Sequence, residues 1–202
     1  MSIVSTNVPY NSTLLSIEIY ELLKTYPFLN LQVVGTSVLG KPIYVIRLGK
    51  GKKHVFYSAS IHANEWITTP VLMKFIEDFC ISYTSNQNIY GYSARNIFNN
   101  TSIYIMPMCN PDGVDLVTGN LSSISLGYRK AREISNNFPS IPFPNGWKTN
   151  INGVDFSNFQ HTLLINRLDW RLLCLIILFS KFLHILFSHY LLIYYHLLYL
   201  ND

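Results

Sequence analysis

Charged residues are scarce in this sequence: Asp, Glu, Lys and Arg make up 13% of its 202 residues, whereas apolar residues make up 49%. The net charge is only +4 at pH 7 and no basic run is long, which excludes nucleic acid as a partner. Cysteine is rarer still. The cysteines Cys80, Cys109 and Cys174 form no C-x-x-C pair, which excludes a disulfide framework and a zinc knuckle, so we expect buried thiols.

A secretory signal is also lacking, because residues 1–10 have neither a basic start nor an apolar core. We therefore expect a cytoplasmic protein. The length suits one domain with a sizeable core. The apolar excess is unevenly spread, and most of it lies after residue 162.

Local patterns predict an α/β fold in which strands alternate with helices. Apolar residues at helical spacing predict helices over residues 10–26 and 70–83, the second one starting at Thr69-Pro70. Residues 31–34 and 43–48 are typical of two strands joined by a turn, and residues 54–60 and 102–108 are typical of buried strands. A tight turn is expected at residues 109–113, and a long surface loop at residues 116–145.

The most informative residues are His62 and Glu65, which follow the strand predicted over residues 54–60 and precede a helix. Open α/β sheets place their binding sites at this carboxyl end of a strand. An imidazole and a carboxylate three residues apart in one turn can bind a single ion. Catalytic zinc takes such a pair, together with a third protein ligand and an open position for water.

The longer string His62-Ala-Asn-Glu65-Trp66, followed by Thr-Thr-Pro70, resembles the zinc carboxypeptidase (M14-type) metallopeptidase family. Within that family it is most similar to the bacterial branch of γ-D-glutamyl-meso-diaminopimelate peptidases, which cut cell-wall peptides. Tyr26-Pro-Phe and Gly35-x-Ser-x-x-Gly-Lys-Pro42 also resemble that branch. The resemblance implies a mixed parallel and antiparallel sheet with helices on both faces, of which this chain encodes about the first half.

The resemblance also implies zinc as the cofactor, with His62 and Glu65 as its first two ligands. The implied function is hydrolysis of peptide bonds, with a cell-wall muropeptide as the substrate. Carboxypeptidase and endopeptidase action both stay open. The catalytic glutamate of the family is expected beyond the chain, so no catalytic residue is identified here.

A second block, Gly146-Trp-Lys-Thr-Asn-Ile-Asn-Gly-Val-Asp155, resembles the family segment that ends in Gly-Val-Asp-Leu-Asn and binds substrate. Lys148 stands where many relatives have an arginine that polarises the scissile carbonyl, and a cation there suits the charge that develops on that oxygen. Relatives place an asparagine two residues after the aspartate. This chain has Ser157 at that place and Asn158 one residue later, and both are candidates for binding substrate.

The family pattern covers residues 1–160, which we interpret as the N-terminal part of the domain, whereas residues 161–202 form an apolar tail unlike the family. We favour loss of the reading frame near residue 160, which would leave the chain truncated and inactive. One alternative is a membrane span over residues 182–200 that tethers a non-catalytic peptide-binding protein. Another is a complete peptidase with an unusual third ligand from the tail, either His161 or His196; His184 and His189 also lie in a context unlike the family's third ligand.

Overall fold

The computed structural model describes residues 2–155 of the chain. Five helices and six strands follow in the order α1 (Ser12–Thr25), β1 (Asn30–Thr36), β2 (Pro42–Leu48), β3 (Lys53–Ser58), α2 (Thr68–Thr84), β4 (Asn88–Ile89), β5 (Tyr92–Ser93), α3 (Ala94–Asn100), β6 (Thr101–Met106), α4 (Pro111–Val117) and α5 (Leu126–Ser135). A single 3₁₀ turn, Ala63–Glu65, lies between β3 and α2.

Four strands form one mixed sheet in the order β1-β2-β6-β3. β1 and β2 are the predicted antiparallel hairpin, β2 pairs antiparallel with β6, and β6 pairs parallel with β3. The parallel pair requires a crossover connection, which α2 and α3 supply. β4 and β5 form a separate two-stranded hairpin within this crossover.

Both faces of the sheet are covered. Tyr44, Val45 and Ile46 follow one another along β2 and are all buried, although successive strand side chains point to opposite faces. Helices α1 and α2 supply most of the apolar cover, through Leu15, Ile19 and Leu22 of the first and Met73, Ile76 and Phe79 of the second. The predicted α/β class with a mixed sheet and helices on both faces is therefore confirmed.

A buried carboxylate network fixes α4 against the start of the chain and the hairpin. Asp115 accepts hydrogen bonds from the Ser12 N–H at 2.7 Å and from the Ser12 hydroxyl at 2.6 Å, and it pairs with the Lys41 ammonium. Asp112 accepts from the Ser37 hydroxyl and from the Leu39 N–H, each at 2.9 Å. Each buried charge thus has several partners, which is the condition under which burial of a carboxylate is tolerated.

Three local predictions are wrong in detail. The expected loop over residues 116–145 contains α5, which Ser125 caps by accepting a hydrogen bond from the Tyr128 N–H at 3.2 Å. The expected tight turn over residues 109–113 opens α4, with Asn110 as its N-cap and Pro111 as its first residue. Helix α2 begins at Thr68 and not at Thr69-Pro70, because the 3₁₀ turn runs directly into it through the helical Ile67.

The thiols behave largely as expected. Cys80 and Cys109 are free, with Cys80 buried and Cys109 half-buried, and burial raises the pKa of each thiol to about 12. Cys174 lies outside the described residues.

Within residues 2–155, no helix is both long and apolar enough to cross a membrane. The candidate span over residues 182–200, the proposed domain boundary at residue 160 and the loss of the reading frame all fall outside the described residues. These remain predictions.

Candidate metal centre

The candidate site lies at the carboxyl ends of β3 and β6. Backbone pairing continues past the two strands, because the Ala59 N–H donates to the Met106 carbonyl and the Cys109 N–H donates to the Ala59 carbonyl, each at 3.0 Å. The Asn110 N–H then donates to the Ser60 carbonyl at 3.1 Å. The turn at residues 62–65 is therefore held at the sheet edge where α/β proteins bind ligands.

The side chains of His62 and Glu65 meet across this turn. Nδ1 of His62 lies 3.1 Å from Oε1 of Glu65. The imidazole is 24% exposed and the carboxylate 52%, so a ligand can reach both from solvent. The 3₁₀ conformation of Ala63–Glu65 brings the two side chains to the same side of the turn.

The second nitrogen of His62 faces another carboxylate. Nε2 lies 3.5 Å from Oδ1 of Asp155, a residue 93 positions later in the sequence that is 38% exposed. Metal-binding histidines commonly present their other ring nitrogen to a carboxylate, which fixes the tautomer and the orientation of the ring. Asp155 was predicted only as part of the Gly-Val-Asp motif, and its place at the end of that motif was the one signal in the sequence of a role at this site.

The two donor atoms suit a zinc ion. Donors bound to tetrahedral zinc at 2.0–2.2 Å are about 3.4 Å apart, and Nδ1 of His62 and Oε1 of Glu65 are separated by 3.1 Å. In the tautomer that places the Nε2 proton toward Asp155, the lone pair of Nδ1 would face the Glu65 carboxylate, and a cation between these two atoms would remove their repulsion.

A third ligand is not found in the described part of the chain. Among residues 2–155, no group of three histidine, cysteine, aspartate or glutamate side chains is arranged to hold a metal ion. The four late histidines, His161, His184, His189 and His196, lie outside that range. The described residues therefore offer two candidate ligands, His62 and Glu65, where a catalytic zinc site takes three from the protein.

Lys148 lies in a segment packed directly on the 62–65 turn. Its backbone carbonyl accepts a hydrogen bond from the Ala63 N–H at 2.9 Å, and its side chain is exposed. The Asn110 side-chain amide donates to the Thr149 carbonyl at 3.0 Å, and its carbonyl oxygen accepts from the Gly113 N–H at 3.1 Å. The start of α4 thus fixes the segment that carries Lys148.

A groove of about 250 Å³ runs beside this segment. Its walls are mainly apolar, and Lys148, Thr149 and Asp155 supply most of its polar groups; the apolar lining comes from Ile134, Phe138, Ile141, Pro142, Phe143 and Trp147. The ring of Phe143 stands edge-on to Trp147, at 6.0 Å between centroids. The remaining candidates from the sequence, Ser157 and Asn158, lie outside the described residues.

Comparison with known proteins shows the family, through a sequence profile, and also gives two similar proteins. The sequence profile described as zinc carboxypeptidase, Peptidase_M14, matches residues 17–162. A protein of Lysinibacillus sphaericus named γ-D-glutamyl-L-diamino acid endopeptidase 1 is 42% identical over 150 residues, covering 74% of this chain and 37% of that protein. The Bacillus subtilis protein YqgT is 37% identical over 150 residues, covering 73% of this chain and 39% of that protein.

Among solved structures, thrombin-activatable fibrinolysis inhibitor is similar, with a TM-score of 0.53 and 19% identity, over 74% of this chain and 32% of that one. At this identity the likeness shows the fold alone. The chain spans less than half the length of the relatives it matches.

Proposed function

Because the chain belongs to the zinc carboxypeptidase family, we propose that it carries two of the zinc ligands of a peptidase acting on bacterial cell-wall peptides. The observation that carries this proposal is the 3.1 Å approach of His62 Nδ1 to Glu65 Oε1 at the carboxyl end of β3. The Lysinibacillus relative, named as a γ-D-glutamyl-L-diamino acid endopeptidase, supports cell-wall peptides as the substrate class.

In this proposal, His62 would hold zinc through Nδ1 and Glu65 would hold it through Oε1. A zinc ion held there would supply Lewis acidity for activating water and for polarising the scissile carbonyl. Asp155 lies against Nε2 and orients the imidazole, so that the lone pair of Nδ1 is directed at the metal position.

Lys148 is proposed to bind the oxygen on which negative charge develops. The hydrogen bond from Ala63 to its backbone carbonyl places this residue beside the 62–65 turn, and its exposed side chain can approach a bound substrate. An ammonium is a point charge and not a bidentate fork, so it can stabilise the oxyanion without fixing its orientation as an arginine would. Ser157 and Asn158 stay predicted substrate-binding residues.

Hydrolysis requires a third zinc ligand and a general base in addition to these residues. No third ligand is found among residues 2–155, and inactivity of the 202-residue polypeptide by itself stays a prediction. The membrane-tethered alternative, the unusual third ligand from the tail and the cytoplasmic location stay predictions.

The proposed function is tested with a chimera that joins residues 1–155 to the remaining part of the Lysinibacillus endopeptidase. We expect the chimera to release the diamino acid product from a γ-D-glutamyl-L-diamino acid peptide, and His62→Ala to reduce the rate to background. Peptides with a free and with an amidated carboxyl terminus separate carboxypeptidase from endopeptidase action. A folded chimera with no zinc-dependent hydrolysis would overturn the proposal.

A further inference from the structure

A group of hydroxyl side chains is buried directly behind the 62–65 turn. Ser60 is 2% exposed and Thr69 is fully buried, and their hydroxyl oxygens are 2.6 Å apart. The Thr69 hydroxyl donates to the Pro107 carbonyl at 2.6 Å. Since a hydroxyl has one hydrogen, the Ser60 hydroxyl must be the donor in its bond to Thr69. One chain of hydrogen bonds therefore runs from Ser60 through Thr69 to the residue that follows β6.

A second chain of hydrogen bonds leaves the same residue. The Ser60 N–H donates to the Thr68 hydroxyl oxygen at 2.9 Å, and the Thr68 hydroxyl donates to the backbone carbonyl of Glu65 at 2.8 Å. Ser60 is thus joined through one side chain to the backbone of a proposed zinc ligand. Ser60 is also only two positions before His62, the other proposed zinc ligand.

The backbone at Ser60 requires this support. Its φ of 48° lies in the left-handed region, which few residues other than glycine adopt. Such a conformation persists only where surrounding contacts fix it. The contacts here are the Asn110 N–H, which donates to the Ser60 carbonyl, and the hydroxyls of Thr68 and Thr69, which come from the first turn of α2.

We propose that Ser60, Thr68 and Thr69 are positioning residues that hold the 62–65 turn in the conformation that brings His62 Nδ1 and Glu65 Oε1 together. The two hydrogen-bond chains connect this turn to α2 and to the end of β6. Loss of the Thr69 hydroxyl removes the donor to the Pro107 carbonyl and the acceptor of the Ser60 hydroxyl, and with them part of the support of the strained backbone at Ser60. This inference deepens the proposed function and rests on it for the role of the metal.

The test compares Thr69→Val, which keeps the shape of the side chain and removes its hydroxyl, with Thr69→Ser, which restores the hydroxyl. Ser102→Ala is the matched control, because Ser102 is also buried and donates to the Gly51 carbonyl at 2.8 Å at the opposite end of the sheet. Zinc affinity of the full 202-residue chain is measured by competition with a chelating dye. We expect Thr69→Val to weaken zinc binding roughly tenfold, as outer-shell substitutions do, and Thr69→Ser and Ser102→Ala to leave it within about twofold.

A second readout needs no metal. Amide hydrogen exchange of the metal-free chain, measured by mass spectrometry, is expected to be faster over residues 60–67 in Thr69→Val and in Ser60→Ala, and unchanged there in Ser102→Ala. Equal exchange in all variants, or equal loss of zinc affinity in Thr69→Val and Ser102→Ala, would overturn the positioning role. If the parent chain binds zinc no better than His62→Ala, the proposed function fails instead, and the exchange data still decide whether these hydroxyls position the turn.

Discussion

His62 lies between two carboxylates, and each one acts on a different ring nitrogen. Glu65 faces Nδ1 at 3.1 Å, whereas Asp155 faces Nε2 at 3.5 Å. The first pair could be predicted from sequence, because three residues separate its members and their chemistry suits zinc. The second pair was not predicted: the Gly-Val-Asp motif marks Asp155, but nothing local indicates that a residue 93 positions later lies beside the imidazole.

Removing the charge of Asp155 tests whether this carboxylate orients the His62 ring. We expect Asp155→Asn to weaken zinc binding about 10–100-fold, because the ring orientation and the basicity of His62 both depend on its outer partner. Asp78→Asn is the matched control: Asp78 is equally exposed, at 38%, and pairs with Lys74 on α2. Calorimetric titration with zinc measures both variants, and equal affinities would show that Asp155 does not orient His62.

At the scale of elements, prediction succeeded where apolar side chains form the buried face. Helix α1 buries Leu15, Ile19 and Leu22 at helical spacing, and its bounds agree with the prediction to within two residues. Helix α5 was missed because its buried residues are Gly127 and Ala131, which leave no periodic pattern of large apolar residues. Ser125 is a residue type that often caps a helix, but the surrounding segment is so polar that it was interpreted as a loop.

Helix α4 was also not predicted, because its local sequence allows two interpretations. Asn110 followed by Pro111 is a known start of a helix, yet Asn-Pro-Asp-Gly is equally typical of a turn. Only the long-range partners of Asp112 and Asp115 decide between the two, and these partners are not visible in the sequence.

The packing of α4 on the 62–65 turn predicts the effect of a single methyl group. A Cβ at Gly113 would lie 2.7 Å from the Ala63 Cβ and 2.6 Å from the Asn110 Nδ2, which is too close for either contact. We expect Gly113→Ala to lower the free energy of unfolding by about 1–3 kcal/mol, the usual cost of overpacking. It should also weaken zinc binding, because the turn must shift.

Gly35→Ala is the control for this prediction, since nothing lies within 4 Å of the added methyl group and the residue is also glycine. Urea unfolding and zinc titration compare the two variants. Equal stabilities would show that α4 and the turn can separate at no cost.

At the scale of the whole molecule, one edge strand of the four-stranded sheet, β3, runs parallel to its neighbour β6. β3 pairs with β6, and within residues 2–155 the sheet order places no strand on its other side. Its side chains are mostly half-buried, whereas parallel strands usually lie inside a sheet.

Acid should destabilise the molecule partly through Glu77. Burial alone would raise the pKa of this carboxyl, but the Lys74 ammonium at 2.8 Å, the Ser2 hydroxyl at 2.6 Å and the Ile3 N–H hold the pKa below its ordinary value. The folded state therefore binds fewer protons than the unfolded state. The stabilisation is present above the unfolded pKa of about 4.3 and is lost as the pH falls through the lower folded pKa.

Urea unfolding between about pH 2 and pH 7 measures this dependence. We expect the free energy of unfolding of the parent chain to fall more steeply on acidification below about pH 4.5 than that of Glu77→Gln. Two parallel curves would show that Glu77 titrates alike in the folded and unfolded states.

Zinc binding by His62 and Glu65 is the property on which the proposed function rests. Its most direct test is equilibrium dialysis of the 202-residue chain against zinc, with bound metal measured by mass spectrometry, for the parent chain, His62→Ala and Glu65→Gln. The controls are His54→Ala, whose ring lies against Tyr104 within the sheet, and Glu21→Gln, whose carboxylate is 56% exposed against 52% for Glu65. We predict zinc binding by the parent chain and both controls, and a loss of more than about tenfold in affinity when either ligand is removed. Equal zinc binding by all five proteins would contradict the account.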